Sequence, residues 1–258
     1  MKEWRRRAGN VRNGFCIAVS MYSRLPVPAA EWTKEGLAFA LCFFPVVGVF
    51  IGAAELAWWY LARYLSCGDF LTGAVGALLP VFITGGIHMD GYMDTADARN
   101  SYGSTERRLE ILKDSHLGAF AVIRFGSYLL LYAALYAELR QEGAILLAAM
   151  GFVVSRAWSA IGFVTLEKAK SSGTLYEFAA AADKRAVLSV SVLVIVILSA
   201  AGARLSPIAG SLFALVPAFV FFYYRKIAYR EFGGITGDLA GYFLQLCELA
   251  ILAAAVFY

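Results

Sequence analysis

Long apolar stretches separated by shorter polar segments run along almost the whole chain. Several of these stretches approach the roughly 20 residues that an α-helix needs to cross a hydrocarbon core. Their residues are apolar throughout rather than at every second position, which favours buried or lipid-facing helices over strands. The pattern therefore predicts an all-α, polytopic integral membrane bundle of about seven transmembrane helices. The predicted spans are residues 37–65, 70–87, 119–137, 144–166, 186–201, 208–224 and 239–258.

The N-terminus is basic, and a short apolar run over residues 15–22 follows it. This run is at the short limit for a signal peptide, and polar residues interrupt the approach to it. We therefore expect an uncleaved interfacial helix that ends before Pro26 and Pro28. No repeat, linker or low-complexity tract divides the rest, so residues 1–258 are predicted to form one membrane-embedded catalytic domain.

The basic residues predict the orientation of the bundle. With the N-terminus inside, eighteen lysines and arginines outside the spans lie on the cytoplasmic side, against three on the other side, Arg63, Arg140 and Arg204. Such a bias is typical of multi-pass membrane proteins. It predicts that the polar segment at about 88–118 faces the cytoplasm.

Composition narrows the class of protein further. Hydrophobic residues make up 60% of the chain and charged residues 16%, well below the roughly one quarter that is usual in soluble domains. The basic residues are dispersed among loops, which gives no indication of nucleic-acid binding. The four cysteines lie far apart without a CxxC pattern, so neither a zinc site nor a disulfide framework is expected.

The segment from about 88 to 118 carries a dense set of carboxylates. Asp90, Asp94 and Asp97 are spaced i, i+4, i+7, which would place them on one face of a helix. Like charges at this spacing repel each other, and a divalent cation such as Mg²⁺ would relieve the repulsion. The alternative is a solvated acidic segment whose carboxylates pair with nearby cations. Those cations are Arg99, Arg107, Arg108 and Lys113.

Charged residues inside apolar spans are costly in lipid and indicate function or pairing. Arg124 lies near the cytoplasmic end of the third span, where it either contacts substrate or extends to the interface. Arg156 lies deeper in the fourth span, where it either binds phosphate or forms an ion pair with Glu55 or Glu248.

A glycine-rich turn, GGITGD, precedes the last span. Glycines permit close approach of the backbone to a phosphate. Thr236, Gly237 and Asp238 are therefore candidate contacts to a phosphate, a metal or a ribose hydroxyl, although the same residues also make a good helix cap. His88 and His116 flank the acidic segment without an HxxxH or HExxH pattern, so hydrogen bonding or capping is expected of them.

The sequence TGGIHMDGYMDTADA followed by ERRLEILKDSHLG resembles the signature of the cobalamin synthase family, the adenosylcobinamide-GDP ribazoletransferases. The similarity extends to SRLPVP, FFPVVGVFIG, VSRAW and ITGDLAGYFLQLCELAIL, and so covers nearly the whole chain. Two positions depart from the family pattern, where Ala98 replaces a usual glycine and His116 a usual arginine.

The resemblance implies transfer of adenosylcobinamide phosphate from adenosylcobinamide-GDP to α-ribazole or its 5′-phosphate, with release of GMP and with Mg²⁺ as cofactor. This joining step would complete the nucleotide loop of coenzyme B12. The implied partners are the two substrates and the lipid bilayer, and a homo-oligomer is left open.

Displacement of a nucleoside monophosphate from a diphosphate builds negative charge that carboxylate-bound Mg²⁺ would neutralise. Asp90 and Asp94 are the expected metal ligands, with Asp97 or Asp114 completing the site. Whichever of Asp97 and Asp114 is not held by metal is the expected acceptor of the attacking hydroxyl proton. The candidate phosphate clamps are Lys113, Arg156 and Arg124.

Two other functions compete with this one. A CDP-alcohol phosphotransferase would need DGxxAR and a later GxxxDxxxD, neither of which is present. A cation transporter would place its carboxylates near the membrane midplane, often in inverted repeats, whereas here they lie in a polar segment.

Overall fold

The computed structural model describes residues 2–114, 116–170 and 174–258, with side chains from residue 9 onward and, after the second gap, from residue 177. Twelve α-helices form within these residues. In chain order they are α1 Lys2–Tyr22, α2 Lys34–Ala40, α3 Phe44–Tyr64, α4 Asp69–Thr84, α5 Ile87–Asn100, α6 Thr105–Ile111, α7 Ala119–Ala137, α8 Glu142–Thr165, α9 Thr174–Ala181, α10 Lys184–Leu205, α11 Pro207–Phe232 and α12 Gly237–Val256.

The all-α polytopic bundle is confirmed. Within the described parts of the chain, six helical segments are long and apolar enough to cross a membrane. They are Lys34–Tyr64, which comprises α2, a short 3₁₀ turn and α3, and the helices α7, α8, α10, α11 and α12. The helix α4 is shorter, and with α5 it makes a seventh candidate that is bent by 99°. We treat α4 as the spanning part, because α5 is polar and lies across its end.

The centre of the bundle is α8, which packs against α3, α10, α11 and α12. Gly48 and Gly52 of α3 lie against the backbone of α8 at Phe152 and Ala149. Small residues spaced by four let two helices approach closely, as is common inside membranes.

The outer helices carry their apolar side chains on the outside. Leu193 and Ile197 of α10 are 58% and 54% exposed, and Phe219 of α11 is 76% exposed. In water, patches of this kind would be unfavourable, so these faces are the ones that contact lipid.

Two predicted boundaries are wrong. The helix of the sixth span does not give way to a turn after 224, because α11 continues to Phe232, where Gly233 closes the helix at a φ of 71°. The polar residues of this extension face outward while Ile227, Ala228 and Phe232 are buried, so the helix is amphipathic after it leaves the membrane. The polar segment at 88–118 is also not a loop for most of its length, since α5 and α6 occupy it.

The N-terminal helix is longer and better packed than predicted. It runs from Lys2 to Tyr22 and contacts α2 and α3. Four successive residues, 16–19, are almost fully buried, so this part of α1 is enclosed by protein on all sides.

Candidate active site

The acidic helix α5 lies across the start of α12. Two glycines, Gly85 and Gly86, adopt left-handed conformations with φ of 66° and 82°, end α4 and turn the chain through the bend. A side chain would be strained at both positions. The chain then enters α5, which packs against α12 and α7.

The contact between α5 and α12 depends on two further glycines. A Cβ atom on Gly91 would lie 2.7 Å from the Cα atom of Asp238, and one on Gly241 would lie 2.8 Å from the carbonyl oxygen of His88. Both distances are too short for a side chain. The backbones therefore touch, and this contact brings the α5 carboxylates beside the first turn of α12.

Asp90, Asp94 and Asp238 meet at this junction. Partial burial and then the negative charges of Asp90, Asp238 and Asp97, in that order, together raise the pKa of Asp94 to about 7. Clustered carboxylates at a partly desolvated position repel each other unless a cation balances them. The structure thus adds Asp238 to the pair expected from the sequence.

The cations of the acidic segment pair elsewhere. Arg99 and Arg108 bind Glu231 of α11, with Arg99 making two hydrogen bonds of 2.9 and 3.1 Å. Arg107 pairs with Glu110 at 3.0 Å. Among the described side chains, no ion pair involves Asp90, Asp94, Asp97 or Asp238. The described residues therefore do not support the alternative in which local arginines neutralise these aspartates.

Asp97 links α5 to α7. Its two carboxylate oxygens accept hydrogen bonds from the backbone N–H groups of Gly118, at 2.6 Å, and Ala121, at 2.9 Å. Such bonds satisfy free N–H groups at a helix start and favour a negative charge there. Asp97 thereby holds the start of α7 against the acidic helix.

Asp114 has different neighbours. It lies on the exposed segment between α6 and α7, where its Oδ1 atom is 2.7 Å from His116 Nδ1. Hydrogen bonds from the His116 side chain and backbone lower the pKa of Asp114. His116 is thus a hydrogen-bonding residue, as expected, and its partner is Asp114.

A pair of lysines lies beside the carboxylates. Partial burial and then the positive charge of Lys113 lower the pKa of Lys170, whereas Asp238 acts in the opposite direction. Lys170 was not predicted. It reaches the site because the N–H of Ile235 donates to Glu167 O at 2.8 Å and that of Ala169 to Ile235 O at 3.0 Å. No spacing in the sequence joins these two segments.

The GGITGD turn serves as the cap of α12. The Thr236 hydroxyl accepts a hydrogen bond from the N–H of Leu239 at 3.2 Å, and Gly237 is exposed with open space at its Cβ position. Because the cap uses one of the first N–H groups, the others remain available at the positive end of the helix dipole.

The two arginines in the spans have separate environments. Arg156 is fully buried, and its guanidinium lies 2.7 Å from Glu248. The ion-pair alternative is therefore the one that the structure shows. Arg124 is exposed and borders a cavity of about 260 Å³ together with Arg99, Tyr92 and Tyr242.

The carboxylates at the α5–α12 junction are a potential set of metal ligands. Among the described residues, no group of three or more His, Cys, Asp or Glu side chains has the arrangement of a metal site. Mg²⁺, however, commonly takes only one or two carboxylates and fills its remaining positions with water and substrate phosphates. One or two of Asp90, Asp94 and Asp238, which have no ion-pair partner among the described side chains, would meet that requirement.

Comparison with known proteins decides the family. The model of the cobalamin-5-phosphate synthase family matches residues 14–256. The chain belongs to this family. Every residue of the candidate site lies within the part that matches, including the acidic helix and the α12 cap.

Members of the cobalamin-5-phosphate synthase family from several bacteria are similar to the chain over most of its length. A protein from Lachnoclostridium phytofermentans is 46% identical over 245 residues, which cover 95% of this chain and 93% of that relative. One from Desulfitobacterium hafniense is 33% identical, covering 93% and 94%. One from Pseudomonas fluorescens is 32% identical, covering 92% and 97%. All three are named adenosylcobinamide-GDP ribazoletransferase. No solved structure matches the chain.

Proposed function

We propose that this chain is an adenosylcobinamide-GDP ribazoletransferase of the bacterial membrane. A ribose hydroxyl oxygen of α-ribazole, or of its 5′-phosphate, attacks the phosphorus that carries the cobinamide. The bond from that phosphorus to the GMP oxygen breaks, and the hydroxyl proton passes to a protein carboxylate. Family membership and the names of the relatives support this reaction.

The observation that carries the proposal is the meeting of Asp90, Asp94 and Asp238 where α5 crosses α12. We assign these three residues to Mg²⁺. A bound Mg²⁺ would neutralise charge on the diphosphate and on the leaving GMP. The carboxylates would hold the metal ion in position before the substrates arrive, which reduces the rearrangement that the reaction needs.

Other residues of the junction take supporting roles. Asp97 and Asp114 remain the two candidates for accepting the proton. Both oxygens of Asp97 are engaged by the start of α7, and Oδ1 of Asp114 is engaged by His116. Lys113, Lys170 and the free N–H groups of α12 suit the phosphates.

The remaining cations are assigned by position. Arg124, exposed beside the cavity of about 260 Å³, suits a further phosphate group of the substrates. Arg156 is engaged by Glu248 and lies 5.7 Å from the ring of Phe44. We therefore assign it to support of the bundle behind the site.

The acidic helix is proposed to face the cytoplasm, where nucleotides and Mg²⁺ are present. The excess of lysine and arginine on that side supports this orientation. The CDP-alcohol phosphotransferase and cation transporter alternatives gain no support from the comparisons.

The test is turnover by purified protein in nanodiscs, supplied with adenosylcobinamide-GDP, α-ribazole and varied Mg²⁺. The wild type is expected to release GMP only when both substrates and the metal are present. Asp90→Asn and Asp94→Asn are each expected to lower kcat at least about a hundredfold, because each removes a charged ligand at the reacting phosphates.

The matched control is Glu110→Gln. This carboxylate lies on α6 in the same acidic segment but pairs with Arg107 at the surface, so kcat is expected to stay near the wild-type value. Release of CMP from a CDP-activated alcohol, or near-normal turnover by Asp94→Asn at limiting Mg²⁺, would contradict the proposal.

A further inference from the structure

A partly open cavity of about 190 Å³ lies beside the carboxylate junction, among α1, α3, α5, α8, α9 and α12. Asp90 and Asp238 border it, so the cavity and the proposed reaction site are continuous. Most of the remaining lining is apolar, including the rings of Phe44, Phe163 and Phe178.

Three polar side chains lining this cavity have no hydrogen-bond partner among the described residues. They are the hydroxyl of Tyr22, the Nε2 atom of His88 and the hydroxyl of Ser159, and each residue is more than nine-tenths buried. Buried polar groups are almost always hydrogen-bonded in folded proteins. The three atoms themselves are covered by neighbouring atoms, but their residues lie on three different helices around one cavity. We take this to indicate that a ligand with polar atoms completes them once small side-chain movements expose them.

The size of the cavity limits that ligand. Pockets for whole drug-sized molecules occupy about 300–1,000 Å³, so this cavity holds a single ring system rather than a corrinoid macrocycle. An acyl chain of a lipid is equally unsuitable, because it would leave the three polar groups without partners.

The walls favour a flat aromatic ligand. The rings of Tyr22 and His88 lie nearly parallel at 6.1 Å, and Phe44 packs at 4.2 Å from Tyr22 and 5.8 Å from His88. Aromatic side chains arranged in this way stack well on another ring. A guanine base carries hydrogen-bonding groups on two edges. Three isolated side-chain atoms are too few to satisfy all of these groups. A benzimidazole-type base, with few ring nitrogens and apolar edges, matches the lining better.

We infer that this cavity binds the aromatic base of the acceptor, the benzimidazole ring of α-ribazole, with Tyr22, His88 and Ser159 as specificity-determining contacts. The inference rests on the proposed function, which supplies the acceptor. It places the ribose at the mouth of the cavity, next to Asp90 and Asp238, so that the attacking hydroxyl reaches the phosphates there.

The experiment compares two buried serines. Ser159 and Ser191 both carry a hydroxyl without a described partner, but only Ser159 lines the cavity. Binding of α-ribazole to protein in nanodiscs is measured by calorimetry without the second substrate. Ser159→Ala is expected to weaken it about three- to tenfold, the worth of one hydrogen bond, whereas Ser191→Ala leaves it unchanged.

A second variant fills the space. Ala240 lines the cavity, and Ala240→Leu is expected to raise the KM for α-ribazole more than tenfold while the KM for adenosylcobinamide-GDP stays unchanged. A thermal melt of each variant reports whether the bundle is intact. If Ser159→Ala weakens binding of GDP instead, or alters neither ligand, the inference is overturned.

The outcomes separate this inference from the proposed function. Normal GMP release with an unchanged KM for α-ribazole in Ser159→Ala would refute the cavity assignment and leave the reaction standing. The opposite outcome is also possible to recognise. If α-ribazole binding depends on Ser159 but no GMP is released under any metal condition, the proposed reaction is refuted and the assignment of the cavity stands.

Discussion

Asp94 lies between three other carboxylates, and its surroundings differ from those of the other aspartates in the same segment. Asp97 is engaged by backbone N–H groups and Asp114 by His116, whereas the described charges that shift the pKa of Asp94 are all negative. A group of this kind gains most from a cation, because the metal removes repulsion that burial makes stronger.

This environment predicts how metal affinity depends on pH. The pKa of Asp94 is raised to about 7, so below that pH a proton occupies the carboxylate and must leave before metal binds. Between pH 8 and pH 6 the affinity for Mg²⁺ is expected to fall about tenfold, as one proton competes. Calorimetric titration with Mg²⁺ at several pH values measures this affinity. The Asp94→Asn variant should bind more weakly and lack this step, and an equal pH dependence in that variant would contradict the assignment.

Single residues also show where sequence reasoning stops. Asp90, Asp94 and Asp97 lie on the helix α5, although their segment was predicted to be a loop. The cost of a charge in lipid correctly indicated a pairing or functional role for Arg156. The approach of Lys170 to Asp238 was missed, because a backbone bridge between two loops creates it. The three orphaned polar groups of the cavity come from α1, α5 and α8, and no local pattern relates them.

At the scale of elements, the junction of α5 with α12 depends on glycines. Gly91 has no space for a Cβ atom, since the backbone of Asp238 lies 2.7 Å from that position. Gly126 of α7 is also helical, but nothing lies within 4 Å of its Cβ position. The two residues form a natural pair for testing the contact.

Gly91→Ala is expected to push α5 away from α12 and lower kcat at least about tenfold, with a loss of about 1–3 kcal/mol in stability typical of overpacking. Gly126→Ala should leave kcat unchanged and stability equal or slightly higher, because alanine favours helix over glycine. Turnover and thermal melts of both variants provide the measurement. If both variants retain full activity, the close contact is not needed for the site.

The elements also divide into those that the sequence predicts well and those that it does not. Continuous apolar stretches located the spanning helices within a few residues, because burial in lipid demands them. The continuation of α11 to Phe232 was hidden, since its polar face interrupts the apolar run while its other face packs inside the protein. The bend before α5 follows from Gly85 and Gly86, whose left-handed conformations cannot be inferred from composition.

At the scale of the molecule, the bundle places its acidic helix at the end of the spans where the basic residues concentrate. The orientation can be tested with two tyrosines of nearly equal exposure, Tyr64 at 85% and Tyr102 at 86%. Tyr64 ends α3, and Tyr102 lies between α5 and α6 at the opposite end of the bundle.

In a cysteine-free background, Tyr64→Cys is expected to react with a membrane-impermeant maleimide in intact cells, and Tyr102→Cys only after the membrane is opened or inverted. The reason is the positive-inside distribution of charge. The reverse labelling pattern would place the site on the outer face, away from nucleotides, and would contradict the proposed reaction.

The most direct measurement of the central claim is binding of Mn²⁺, as a paramagnetic substitute for Mg²⁺, followed by electron paramagnetic resonance on protein in nanodiscs with GDP present. The account predicts a saturable site in the wild type and in Glu110→Gln, with weaker binding in Asp94→Asn and in Asp238→Asn. Wild-type protein that binds no Mn²⁺ in the presence of GDP, or an Asp94→Asn variant that binds it as tightly as the wild type, would contradict the claim that the α5–α12 carboxylates hold the metal.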